Sequence, residues 1–257
     1  MNKLHIAHMS DLHFCPKNLV ESDRTFGFAV DDAIRRNVRA AVITGDSTDH
    51  ALDAHEPALL ALARQLKRLA DHCPVLMLQG TFSHEPPGLL RMFKMIGAKH
   101  PIQIADQIGM FGLDETGFQH FSNQKKFDLV VTSFPTVNKI DLATAEGVID
   151  KAAMGDTLFN LLCQFAPTNA ALREQGIPTM LIGHGTVQNC ETEHGVPMAG
   201  LDHEFGTGAL FAAKCDVVAL GHIHKHQVWS REQQLIAYAG SIGRFHHGED
   251  GNKHYLV

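Results

Sequence analysis

The feature that most constrains the fold is a short pattern met five times along the 257 residues: an apolar run, usually a glycine, then an aspartate or histidine. Leu4 to Met9 leads into Ser10-Asp11-Leu12-His13, Ala40 to Thr44 into Gly45-Asp46, and Val75 to Leu78 into the segment Gly80-Thr81-Phe82-Ser83-His84-Glu85. Thr179 to Ile182 leads into Gly183-His184, and Val217 to Leu220 into Gly221-His222-Ile223-His224. Runs this short, closed by glycine, suit buried strands, because a helix of that length is marginal and glycine breaks the element. Helical periodicity fills the intervals between the first three runs, over Val20 to Asn37 and over Pro57 to Ala70, where Leu59, Leu60, Leu62, Leu66 and Leu69 form a stripe. Strand and helix in alternation imply βαβ units around a sheet. Ligands gather outside the carboxyl ends of such strands, so the five Asp/His endings are expected to converge on one place.

The middle of the chain is less regular. Pro86-Pro87-Gly88 precedes a short helix over Leu89 to Ile96, hairpin-like apolar pieces run around Ile102 to Leu113, and a strand covers Leu129 to Ser133. A long helix is expected over Asp141 to Phe165, then strands over His226 to Ser230, Gln234 to Ala239 and Tyr255 to Val257, which together imply a second sheet. With no internal repeat, charge block or flexible linker, a single domain over 1–257 is expected. No apolar run approaches bilayer length and the start lacks a signal-peptide core, so the expectation is a cytoplasmic protein with no membrane partner. The five cysteines, Cys15, Cys73, Cys163, Cys190 and Cys215, contain no C-x-x-C pair and read as reduced, mostly buried thiols. A net charge of −6 argues against a broad basic face for duplex nucleic acid, so attraction for phosphate must be local.

Asp11 and His13 are two residues apart, as are His222 and His224; in extended backbone each pair projects to one side and can grip one ion. Asp46, alone after its run, is the natural bridging carboxylate, because one carboxylate can serve two cations about 3.5–4 Å apart. His184 completes the set. Imidazole and carboxylate donors without thiolate suit Mn, Fe or Zn better than calcium. Two such ions activate a water, hold a phosphate and stabilise developing charge. His84 is left to help the leaving oxygen, as an acid or electrostatically. Each piece alone is weak, since a lone histidine is more often structural; joint placement at five strand ends carries the reading over an α/β core with accidental polar caps. Asp49 is either a partner that positions a ligand or a solvated helix cap. Of the 18 histidines, His5, His8, His72, His100, His120, His226, His246, His247 and His254 lie at no ligand spacing and read as structural or surface groups.

The order D-x-H, G-D, a histidine-bearing third loop, G-H and G-H-x-H, here Asp11/His13, Asp46, His84, His184 and His222/His224, resembles the calcineurin-like metallophosphoesterase superfamily over essentially the whole chain. The loop Gly45-Asp46-Ser47-Thr48-Asp49 before Pro57, and the tail Tyr238-Ala239-Gly240-Ser241-Ile242-Gly243-Arg244-Phe245 with Gly248-Glu249, resemble its SbcD-like DNA-repair nuclease branch. The resemblance implies an α/β class, four-layer α/β/β/α fold of two mixed sheets flanked by helices. It implies two divalent metal ions, manganese with Fe or Zn as alternatives, and exo- or endonuclease action on DNA. Asp11, His13 and His224 would hold one metal, His184 and His222 the other, Asp46 both, while His84 assists the leaving group. A small-substrate phosphodiesterase or phosphatase is the alternative on the same scaffold, and a non-enzymatic scaffold is a third reading that the presence of His84 opposes.

Two departures qualify the resemblance. Where the superfamily commonly has G-N-H-D, this chain reads Gly80-Thr81-Phe82-Ser83-His84-Glu85, similar to a phage-type variant. Ser83 takes the asparagine's place as a metal ligand, with a water or Thr81 as substitutes. The second departure is that no capping domain is expected after the closing strand, which bears on duplex specificity and on an SMC-like ATPase partner. A homodimer would use Leu89, Leu90, Met92, Phe93 and Ile96, a face that core packing explains equally well.

Overall fold

Alternation within short strands decides the layering. The computed structural model describes residues 3–136, 151–192, 204–245, 248–249 and 251–257. Its first sheet joins β1 (Ile6–Met9), β2 (Ala40–Ile43), β3 (Val75–Leu78) and β4 (Ile102–Ala105), all parallel and in that order. Ala7, Met9, Ala41, Ile43, Val75 and Met77 face α1 (Leu19–Arg35) and α2 (Pro57–His72), packing with Phe26, Val30, Leu62 and Leu66. The intervening Ile6, Ala40, Val42, Leu76 and Leu78 face the other way, onto Phe111, Leu113, Val131, Met180 and Ile182 of the second sheet. A strand of four residues with every position buried is thus apolar on both faces. Leu62 and Leu66 are fully buried, and truncating either to alanine costs about 2–5 kcal/mol.

Seven strands form the second sheet: β5 (Gly109–Asp114), β6 (Gly117–His120), β7 (Leu129–Phe134), β8 (Thr179–His184), β11 (Val217–Gly221), β12 (Gln227–Arg231) and β13 (Gln234–Tyr238). The short pair β9 (Thr186–Val187) and β10 (Glu204–Phe205) stands apart. Spatial order is β12-β13-β11-β8-β7-β5-β6, parallel from β13 to β7 and antiparallel at both margins. Its outer face packs on α3 (Lys151–Glu174) and α4 (Thr207–Ala212) through Leu158, Leu162, Leu181, Leu210 and Leu220. Helices, sheet, sheet and helices make the four layers.

Local expectations need correction in places. Ile102 to Leu113 is not a hairpin: β4 pairs with β3 in the first sheet, whereas β5 crosses to the second and pairs with β7. Apolar alternation identifies strands but carries no information on their partners. The helix expected to end at Phe165 runs to Glu174 with Pro167 inside it. Packing overrides the proline: Leu172 is buried beyond it and Asn169 donates to Ala213 O at 2.8 Å. The expected start of that helix, 141–150, lies outside the described residues. The segment Leu89–Met95 is a 3-10 helix whose Leu90 and Phe93 enter the first core, leaving Met92 and Met95 exposed. The last expected strand is a single antiparallel bridge from Leu256 to His8.

Candidate metal centre

Every candidate ligand sits where a strand stops. Asp11 and His13 follow β1, Asp46 follows β2, His84 follows β3, His184 closes β8, and His222 and His224 follow β11. The backbone there is not extended: φ is 51° at Asp11, 45° at His13, 51° at Asp46 and 98° at His222. Left-handed turns, rather than strand projection, aim these side chains, and such conformations persist in non-glycine residues only when surroundings hold them. Asp11 N donates to Gly45 O at 3.1 Å, His13 N to Asp46 O at 3.0 Å, and His222 N to both Asp11 carboxylate oxygens at 3.1 Å. The glycines have a different task. A Cβ on Gly45 would lie 2.3 Å from His184 Nδ1, and one on Gly221 only 2.1 Å from Thr44 O, so the two sheets approach here more closely than any side chain permits.

Donor atoms fall into overlapping groups whose members lie within 4.8 Å of one another: Asp11 with His13 and His224, Asp46 with His184 and His222, and His13 with Asp46 and His84. The pair His222/His224 therefore does not share one group, contrary to the spacing argument. Asp46 stands between the two halves. His13 Nε2 and His224 Nε2 are 3.0 Å apart. Two imidazole nitrogens that close must share a proton or face a common cation. His84 Nδ1 is 2.8 Å and His184 Nε2 3.2 Å from Asp46 Oδ2.

The rings are held from behind. His184 Nδ1 donates to Thr44 O at 2.7 Å, which turns its Nε2 toward Asp46. Burial disfavours the His184 imidazolium, but the Asp46 carboxylate outweighs it and lifts the pKa to about 10. Burial acts the other way on Asp46, yet His184 and His84 hold its carboxyl well below the usual range. His224 Nδ1 is 2.8 Å from Glu249 Oε1, and against the effect of burial that carboxylate raises the imidazole's pKa. Asp49 Oδ1 lies 3.3 Å from His13 Nδ1, close enough for an ion pair although misaligned for a hydrogen bond. The His13 ring holds the Asp49 carboxyl far down.

Ser83 is not brought into this cluster. His84 N and Glu85 N both donate to Thr81 O, at 2.9 and 2.7 Å, and that turn leaves Ser83 exposed. The hydroxyl of Thr81 lies 3.2 Å from both Asp46 Oδ2 and His184 Nε2, taking the place expected of Ser83. Two carboxylates escaped sequence reasoning. Buried Glu85 accepts from Gly80 N at 2.6 Å and from Ser47 N, clamping the loops after β2 and β3; burial and Asp46 push its pKa up to about 7. Buried Glu249 orients His224, accepts from Phe245 N at 2.8 Å and meets Lys253 Nζ at 3.1 Å. A cleft of about 950 Å³ lined by Lys3, Asp128, Arg173 and Asp216 lies by the amino ends of the strands, away from this chemistry.

Carboxylates and imidazoles converging from both sheets, with His13, His184 and His224 each backed by a carbonyl or carboxylate, form a donor set suited to divalent cations. The calcineurin-like phosphoesterase family matches residues 4–226. The chain belongs to that family. Membership marks a metal-dependent phosphoester hydrolase, and the donor groups are candidate positions for its divalent cations. This phosphoesterase is similar to the anchor in the inner membrane complex of Plasmodium, at 14% identity and a TM-score of 0.56, over 99% of this chain and 77% of that one. It is also similar to a dimetal phosphatase from Danio rerio, at 12% identity and a TM-score of 0.54, over 93% of this chain and 88% of that one. Identities this low show the fold. No curated protein matches the sequence. Among the described residues no helix is long and apolar enough to cross a membrane.

Proposed function

We propose that this phosphoesterase is a two-metal phosphodiesterase, with Asp11, His13 and His224 on one ion, His184, His222 and the Thr81 hydroxyl on the other, and Asp46 on both. The single observation that carries the proposal is Asp46: its carboxylate belongs to donor groups on either side and is buried between them. Bound cations supply Lewis acidity toward the phosphoryl oxygens and lower the pKa of an attacking water. The protein does the rest. His13 and His224 are oriented by Asp49 and Glu249, and His184 by Thr44 O, so the donor set is in place before substrate arrives. His84 keeps one ring nitrogen on Asp46 and is half-buried, which leaves the ring's other edge to give a proton to the departing oxygen.

DNA is the proposed substrate, supported by the Gly45 to Asp49 loop and the Tyr238 to Phe245 tail; a homodimer and an SMC-like ATPase partner belong to the same reading. A small phosphodiester or phosphomonoester is the second reading, favoured by the net charge of −6. With Mn²⁺ present, cleavage of labelled duplex and single-stranded DNA is compared with turnover of bis-nitrophenyl phosphate and cyclic nucleotides. DNA cleavage supports the nuclease reading; small-molecule turnover without it rules that reading out.

A further inference from the structure

A third group of donors lies beside the first two. The bridge between Phe14 and Thr48 sets the loops after β1 and β2 side by side, with Phe14 N donating to Ser47 O at 3.0 Å and Asp49 N to Phe14 O at 3.3 Å. Cys15, Asp49 and His50 are gathered as a result, their sulphur, oxygen and nitrogen donors within 4.8 Å of one another. The Cys15 side is closed, at 1% exposed, whereas the side chains of Asp49 and His50 are 33% and 54% exposed. From this juxtaposition we infer that Cys15, Asp49 and His50 form a further cation site, selective for thiophilic divalent ions of the zinc type.

Tetrahedral zinc, with bonds of about 2.0–2.3 Å to nitrogen, oxygen and sulphur, sets its donors roughly 3.3–3.8 Å apart. The Asp49 and His50 donors already stand 3.5 Å apart, within that range. Sulphur is what separates this site from its neighbours, whose donors are all oxygen or nitrogen and suit harder ions. On binding, a metal–sulphur bond forms, the thiol proton passes to solvent, and water fills the remaining position. Asp49 is shared, one oxygen 3.3 Å from His13 Nδ1 and the other 3.5 Å from His50 Nδ1. A cation held here draws Asp49 away from His13, so filling the site lowers hydrolysis; that consequence alone rests on the phosphodiesterase reading.

The test titrates the metal-stripped chain with Co²⁺ and follows the near-ultraviolet sulphur-to-cobalt charge-transfer band, which oxygen and nitrogen donors do not give. Among the described residues, no other cysteine lies in a donor cluster. The band is expected in the unaltered chain, absent in Cys15→Ser, and weakened roughly tenfold or more in apparent affinity in His50→Ala. Cys15→Ser should bind one cobalt fewer than the unaltered chain. Absence of the band from the unaltered chain, or a band unchanged in either variant, overturns the assignment. Because the band reports sulphur ligation and not turnover, a chain that gives the band but hydrolyses no phosphodiester with Mn²⁺ supplied and this site empty counts against the phosphodiesterase reading only.

Discussion

The two halves of the metal centre are built to different standards. Around Asp11, His13 and His224, the rings are backed by carboxylates on loops, Asp49 at 3.3 Å and Glu249 at 2.8 Å. Around Asp46, His184 and His222, the backing is main chain: Thr44 O behind His184 and Thr81 N on Asp46. A carboxylate behind an imidazole raises its basicity and can be removed by one substitution, whereas a strand carbonyl comes with the fold. The first half is therefore tunable, and the second is as rigid as the meeting of the two sheets.

The comparison can be broken by measurement. The largest effect expected is at His84, which the proposal assigns to neither ion: His84→Ala should lower kcat by about 10²–10⁴-fold while metal content stays unchanged. Loss of metal together with activity would make His84 a ligand instead. Next, Glu249→Gln should weaken cation affinity in the tunable half by about 10–100-fold, read by calorimetric titration. In the rigid half the comparable damage needs a backbone change. Gly221→Ala drives a Cβ onto Thr44 O and should cost about 1–3 kcal/mol of stability in a denaturant melt.

A pH effect comes after these. In the cation-free protein the His184 pKa is raised from 6.5 to about 10, so its contribution to stability is full below pH 6.5 and drains away as pH climbs to about 10. Glu249 runs oppositely: lowered from 4.5 to about 2, its contribution is present above pH 4.5 and lost as pH falls toward 2. Tm of chelated protein should therefore fall on the alkaline side, and divalent cation, replacing the His184 proton, should flatten that fall. A Tm that rises across this window would contradict the exchange. The smallest effect is expected in the third loop, where Thr81→Val should weaken metal binding by a few-fold, about 1 kcal/mol, and Ser83→Ala should change nothing.

How legible this was depended on where the constraint acts. The glycines before Asp46 and His222 are visible in sequence because close approach admits no other residue, and they mark the strand ends at which the ligands gather. The route by which Asp11 and His13 reach the site was misread, since D-x-H spacing looks the same whether the backbone is extended or left-handed. Thr81 and Ser83 could not be ranked because a turn closed by two hydrogen bonds to Thr81 O decides which hydroxyl faces inward. Glu249 had no periodic context at all; it reaches His224 only because the tail folds back toward β1. The layering was implied by family resemblance alone, and the pairing of β4 and β5 was not legible at all, as partner choice is a tertiary property.

The central claim is that Asp46 joins the two halves into one metal pair. Electron paramagnetic resonance of the Mn²⁺-loaded protein tests it directly, alongside the count of ions per chain. The account predicts two exchange-coupled ions, with coupling lost in Asp46→Ala. A single ion, or two ions without coupling in the unaltered chain, would contradict it.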